Sequence, residues 1–183
     1  MKKIIKIRIM KIVDEILRSK IKPKEKQLKL IEAVVQKKIS AKDFITFFET
    51  ASDTDKGTCA DAMKHISEKK PELLIPYIDT LTKYINHQLP RVKWGIPEAV
   101  GNMAKEYPEK VTKAIPYLLK NTTDDKINTT VIKWCAAYAL SEIAKNNPET
   151  RKQLLPIFEK ITNTEKNNGV KNVYLKALTV INK

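Results

Sequence analysis

Residues 92–109 read VKWGIPEAVGNMAKEYPE, and residues 132–149 read IKWCAAYALSEIAKNNPE. The likeness extends from 91–120 onto 131–160 without a gap, at an offset of 40 residues. Lys93/Lys133, Trp94/Trp134, Ala99/Ala139, Lys105/Lys145, Pro108/Pro148 and Pro116/Pro156 are identical, and most other apolar positions stay apolar. A period of this size marks stacked structural repeats, each unable to bury its apolar face alone. An earlier copy stands at 57–81, GTCADAMKHISEKKPELLIPYIDTL, with Ala62, Pro71-Glu72 and Pro76 in the matching places. A half-copy closes the chain at 170–183, VKNVYLKALTVINK, where Ala177-Leu178 replaces Ala139-Leu140.

Each copy divides into two helices. In VIKWCAAYALSEIAKN, Val131, Cys135, Ala136, Ala139, Leu140 and Ile143 form an apolar stripe at helical spacing. Its small residues suit close helix contact. Asn146-Asn147-Pro148-Glu149 breaks the pattern, and Pro148 opens the second helix at its first turn. That helix, PETRKQLLPIFEKITN, has its stripe at Leu154, Leu155, Ile157, Phe158 and Ile161. Pro156 lies inside it, as Pro76 and Pro116 do in the other copies. An interior proline removes a backbone hydrogen bond and clashes with the carbonyl four residues back, so a bend is expected at each. In the copy VKWGIPEAV, Gly95 and Pro97 disfavour early helix, so the helix is expected to start near Ile96, with Trp94 at its entrance.

A proline-containing helix, an Asp/Asn-bearing loop, then Val-x-Lys and an Ala-rich helix resemble the HEAT repeat. TTDDKINTTVIKWCAAYALSEIA (122–144) carries the likeness best, with Asp124 and Asp125 in the loop and Lys133 where that family usually has Arg. The resemblance covers about residues 56–183. It implies an all-α fold, an α-α superhelix: a right-handed α-solenoid that serves as a scaffold and whose second helices line a concave face. The fold alone implies no chemistry.

Residues 1–55 are not an obvious copy and read as an N-terminal helical cap or degenerate repeat within a single domain spanning 1–183. Ile5, Ile9, Ile12, Val13, Ile16 and Leu17 predict an amphipathic helix over 3–20. A strand reading of IIKIRIMKI stops fitting after Met10. Pro23 opens a second helix with Leu28, Leu30, Ile31, Val34 and Val35 apolar, and Ser40 with Asp43 caps a third. Residues 56–183 hold the three and a half repeats, and stacked repeats need capped ends.

The 183-residue chain is 42% hydrophobic, with 4 Gly and 7% aromatics, which disfavours a β-rich fold. No apolar run reaches the roughly 18 residues of a membrane span. Lys6, Arg8 and Lys11 interrupt what would otherwise resemble a leader's apolar core, so none is expected. Cys59 and Cys135 lie in apolar helical patterns as reduced core thiols, and the protein is expected to be cytoplasmic. The net charge is +14, yet only four basic residues are Arg (Arg8, Arg18, Arg91, Arg151). Residues 1–38 carry 13 basic and 4 acidic residues, so most of the surplus lies outside the repeats. Bidentate recognition of phosphate favours Arg, which weakens the nucleic-acid reading that the charge invites.

The sequence has no Gly-rich phosphate loop, no Cys-x-x-Cys and no His pair at metal-ligand spacing. Neither a metal nor a cofactor is expected. His65, His87, Asp53/Asp55 and Asp124-Asp125 read as ordinary surface, packing or helix-start residues. One constellation invites a binding role. On the Trp-bearing helices, the stripe opposite the core is Trp134, Tyr138, Glu142 (or Ser141) and Lys145 in one copy. It is Trp94, Glu98, Asn102 (or Gly101) and Lys105 in the copy before, then Asn172, Lys176 and Lys183 in the last, and Asp61, His65 and Glu68 in the first. Stacked side by side, these make a groove floor of aromatic and Lys side chains, suited to a peptide or a nucleic acid. The competing reading is that both Trp fill gaps between repeats.

The leading expectation is therefore a non-catalytic scaffold that holds a protein partner through Trp94, Glu98, Lys105, Trp134, Tyr138, Lys145 and Lys176. The alternative is a nucleic-acid-binding protein similar to the HEAT-like alkylpurine DNA glycosylases, in which Glu98 or Asp61 would have to supply the carboxylate. Nothing specific supports a third comparison, with HEAT-like phycobilin lyases.

Overall fold

The computed structural model describes residues 11–123 and 127–182, and every regular element among them is helical. Residues 11–18 form α1. There follow α2 (Pro23–Val35), α3 (Ala41–Thr50), α4 (Asp53–Lys69), α5 (Pro71–Leu74), α6 (Ile78–Tyr84), α7 (Pro90–Met103), α8 (Pro108–Val111), α9 (Ile115–Lys120), α10 (Thr130–Asn146), α11 (Pro148–Thr164) and α12 (Asn168–Ile181). Short 3-10 turns, Ile75–Tyr77 and Thr112–Ala114, join α5 to α6 and α8 to α9.

The helices alternate between two rows. α2, α4, α7, α10 and α12 lie side by side in chain order, and α3, α6, α9 and α11 pack behind them. Neighbours within the first row approach closely, whereas those of the second scarcely touch one another. The closely packed row is called inner and the other outer. The molecule is thus an all-α solenoid whose inner face is built from the Trp-bearing helices. α2 and α3 occupy inner and outer places in this alternation, although 1–55 shows no repeat in its sequence.

Small residues set the inner spacing. A Cβ on Gly95 would lie 2.5 Å from the Ala60 carbonyl oxygen of α4. One on Gly101 would lie 2.9 Å from Cα of Ala139 and 3.0 Å from the Tyr138 ring on α10. Between the rows, Leu74, Leu81, Ile85, Ile96, Met103, Leu118, Leu140, Ile143, Phe158 and Tyr174 form one continuous core.

Local signals explain most helix boundaries. Pro71, Pro108 and Pro148 stand at first-turn positions, where the missing N–H costs nothing. Ser40 accepts from the Asp43 N–H at 3.1 Å and Ser52 from that of Asp55 at 3.4 Å. Asn147 and Asn167 cap α11 and α12 in the same way, accepting from Thr150 N at 3.0 Å and Val170 N at 3.1 Å.

Several expectations need correction. α7 begins at Pro90 and runs unbroken through Gly95 and Pro97, so Trp94 lies inside the helix. The close contact with α4 requires Gly95, and packing on both sides outweighs the weak propensity. The recurrent proline has unequal effects: 3-10 turns interrupt the outer helix beside Pro76 and Pro116, but α11 continues through Pro156. Val131 is 47% exposed rather than core, since it shares the outward stripe of Trp134 and Tyr138, and Ile132 is buried instead. Leu28 is likewise 48% exposed, while Leu30, Ile31 and Val34 fill the core. The expected helix over 3–20 falls partly outside the described residues. Within them Val13 and Leu17 are buried as anticipated.

Candidate functional site

The Lys that precedes each Trp has a structural task. Lys133 places its ammonium 2.7 Å from Glu165 in the loop before α12, and the two side chains are only 9% and 7% exposed. Lys93, one repeat earlier, donates to Asn128 Oδ1 at 3.1 Å in the loop before α10. Lys56 holds the same repeat position. It donates to the Glu49 carbonyl at 3.0 Å and lies over the rings of Phe48 and Tyr84. Charges buried this far must be paired or hydrogen-bonded, so these Lys act as bolts between elements. Asp124 and Asp125 lie outside the described residues.

The residue after each Lys turns to the inner face. Trp134 is 37% exposed and stacks on Tyr138, with ring centroids 5.8 Å apart and planes 2° from parallel. Their i, i+4 spacing places the rings one above the other. Trp94 is half-buried, and its indole N–H is enclosed without a hydrogen-bond partner among the described residues. The two Trp therefore differ: Trp134 is the more exposed, while the Trp94 indole N–H is enclosed.

Cross-helix bonds close much of the inner face. Arg91 of α7 reaches Asp61 of α4 through Nη2 at 2.5 Å and Nε at 3.1 Å. Lys64 of α4 pairs with Glu98 of α7 at 2.6 Å, and the Cys135 thiol of α10 donates to the same carboxylate at 3.4 Å. Asn102 of α7 donates to the Lys64 carbonyl at 3.0 Å and to Ser67 Oγ at 3.1 Å, and accepts from the Tyr138 hydroxyl at 2.6 Å. Burial, then the carboxylates of Glu142, Glu68 and Glu98, push the Tyr138 phenol up to about 12, which keeps it a donor. Burial, and after it Glu98, push the Cys135 thiol far above its usual range, and burial pushes Cys59 up to about 12. Both thiols are unreactive core groups.

Between α10 and α12 the face opens. A groove of about 310 Å³ is lined by Trp134, Tyr138, Ser141, Lys145, Asn172 and Lys176, among others. Four of the seven residues anticipated from the sequence meet here: Trp134, Tyr138, Lys145 and Lys176. Glu98 is instead committed beneath Lys64 and Cys135, and Lys105 lies exposed in the turn after α7 rather than on its inner stripe. Asp61 is held by Arg91, and His65 sits 2.8 Å from Glu68. Lys183 lies outside the described residues. Sequence reasoning missed the bridging roles of Asn102, Lys64 and Arg91, since these depend on which inner helices face each other. Among the described residues, no group of three or more His, Cys, Asp or Glu side chains is placed to hold a metal ion.

No family model matches this chain, and no curated protein matches it. Solved structures do. A computationally designed armadillo repeat protein for modular peptide recognition superposes with a TM-score of 0.68 at 22% identity, covering 98% of this chain and 76% of that one. Two engineered proteins from the Northeast Structural Genomics Consortium superpose with TM-scores of 0.70 at 18% identity. They match 84% and 85% of this chain, which spans 66% and 40% of their lengths. At such identity the likeness concerns the fold, and with the two-row stacking it defines the chain as a helical repeat solenoid of armadillo-like architecture.

Proposed function

We propose that this chain is a non-catalytic binding module of HEAT type that holds a segment of a protein partner on its inner, concave face. The observation that carries the reading is the Trp134–Tyr138 stack, presented to solvent beside Lys145 and Lys176 in an open groove. Exposed, preordered aromatic rings bind at little entropic cost, and interfaces concentrate energy in such anchors. The designed neighbour, described as made for modular peptide recognition, supports the same reading by fold analogy. Lys93 and Lys133, each anchored in the next loop, support HEAT-type repeats. Residues 1–55 serve as the cap of the stack, and the whole chain works as one domain in the cytoplasm. None of the helices among the described residues is long and apolar enough to cross a membrane, and two buried free thiols suit a reducing compartment.

Photo-crosslinking tests this. A benzophenone amino acid at Trp134 captures a discrete polypeptide from lysate, whereas one at Glu159, exposed on α11, does not. Equal capture from both positions, or none from either, defeats the proposal.

The lysine surplus and the stackable ring of Trp134 favour a second reading, nucleic-acid binding. A mobility-shift titration across salt concentration separates the two, because phosphate contacts impose a steep salt dependence. Asp61 and Glu98, the carboxylates available to a glycosylase-like activity, are both engaged within the chain.

A further inference from the structure

The groove between α10 and α12 differs from the crevices before it in one respect. Across α7 and α10, Tyr138 reaches over and bonds Asn102. In the next pair the corresponding residues are Lys176, aligned with Tyr138 by the Ala177-Leu178 match, and Glu142, aligned with Asn102 by the 40-residue offset. Opposite charges stand where the bridge should be, yet they do not join. Glu142 bonds Lys145 on its own helix. Lys176 is exposed and has no ion-pair or hydrogen-bond partner among the described residues. No side-chain hydrogen bond or ion pair among them crosses from α10 to α12, and the crevice stays open. Ser141, which replaces Gly101 of the preceding pair, forms part of its wall. It is 3% exposed, and its hydroxyl has no hydrogen-bond partner among the described residues.

Resting on the peptide-binding reading above, we infer that this groove is a subsite for an acidic peptide segment that carries a large apolar or aromatic side chain. The apolar side chain lies against the outer face of Trp134 and the walls given by Val173, Ala177 and Val180. A neighbouring Asp or Glu pairs with Lys176. The Ser141 hydroxyl donates to a peptide carbonyl or carboxylate that enters, satisfying a buried donor that finds no partner among the described residues. Charge argues for an acidic occupant: the lining charges are Glu142, Lys145 and Lys176, and the first two cancel. Residues 39–183 themselves carry 22 basic and 17 acidic residues, so encounter with an anionic segment is favoured over a cationic one.

The full-length, ¹⁵N-labelled chain titrated with acetyl-Asp-Glu-Phe-Asp-Glu-amide tests the inference by NMR. The expected result is saturable shifts of the Trp134 indole N–H and of the Ser141, Gly169 and Lys176 amides. The Lys counterpart, acetyl-Lys-Lys-Phe-Lys-Lys-amide, binds at least about tenfold more weakly, and Lys176→Glu lowers affinity for the acidic peptide by about tenfold. Lys176 is exposed, so this variant folds, and an unchanged reference spectrum verifies it. Equal binding of both peptides, indifference to Lys176→Glu, or tighter saturation of the same signals by a dT₁₂ oligonucleotide overturns the proposal. Shifts confined to Trp94 and α7 overturn the subsite but keep the peptide-binding reading. A partner crosslinked through Trp134 whose bound segment is basic does the same.

Discussion

At the scale of single residues, three buried glycines on the inner row behave differently. Gly101 lies under Tyr138 and against the backbone of Ala139, so a methyl group there has nowhere to go. Gly101→Ala gains helix propensity, worth about 1 kcal/mol, but forces α7 and α10 apart. The expected net effect is destabilisation by about 1–3 kcal/mol, as for other overpacked cores. Gly95→Ala is more damaging, since its obstacle at 2.5 Å is a backbone carbonyl. Gly57→Ala is the contrast: the nearest atoms, at 3.2 Å, are Cβ and Cδ of Arg91, so the neighbour has to give by only a few tenths of an ångström. It is expected to be the mildest of the three. Urea denaturation of the three variants should give the order Gly57→Ala, Gly101→Ala, Gly95→Ala from most to least stable, and any other order refutes this account of the spacing. The glycines were legible as residues in the sequence. Their necessity was not, because it comes from the helix opposite.

The repeated proline poses the question at the scale of the element. Beside Pro76 and Pro116 the outer helix is interrupted by a 3-10 turn, yet α11 accommodates Pro156 without a break. The carbonyl of Lys152, four residues before it, lies on an exposed stretch of helix where water can satisfy it. Pro156→Ala should therefore restore a hydrogen bond with little else changing, and raise stability by about 1–3 kcal/mol. Pro76→Ala should gain less, since the 3-10 geometry there is set by packing around Leu74, Ile75 and Ile78. Thermal unfolding of the two variants compares them directly, and an equal gain would show that proline alone breaks the helix. Helix existence and order were legible throughout, from periodicity and from the first-turn prolines. The start of α7 was not, because local propensity at Gly95 and Pro97 points against helix while the stack on both sides imposes it.

For the whole molecule, the distribution of cross-helix bonds predicts a gradient of stability. α4, α7 and α10 are tied by Arg91–Asp61, Lys64–Glu98–Cys135 and Asn102–Tyr138. α12 is held to α10 by apolar contact, with Lys133–Glu165 at one end. In a solenoid, stability is close to a sum of units and nearest-neighbour interfaces, so the more weakly tied end opens first. Native-state hydrogen exchange should show lower protection in α12 than in α4 and α7, and uniform protection would count against the gradient. The same looseness leaves the groove open, so a ligand in it should raise protection in α12 selectively.

The sequence by itself determined the all-α repeat, its period, its two helices per unit and the stripe on which a binding face would lie. Those follow from spacing along one chain, which obeys the 3.6-residue period wherever the helix is placed. Only the tertiary structure decided that the Lys before each Trp is a buried bolt, that Trp94 is half-buried with its N–H enclosed and Trp134 more exposed, and that Glu98 is occupied. It also decided that the open part of the inner face lies between α10 and α12. Those outcomes depend on which atoms of the next helix arrive within hydrogen-bonding distance, and the repeat pattern leaves that unspecified. Tyr138 finds Asn102 and closes one crevice, whereas Lys176 and Glu142 hold the same two positions and leave the next one open.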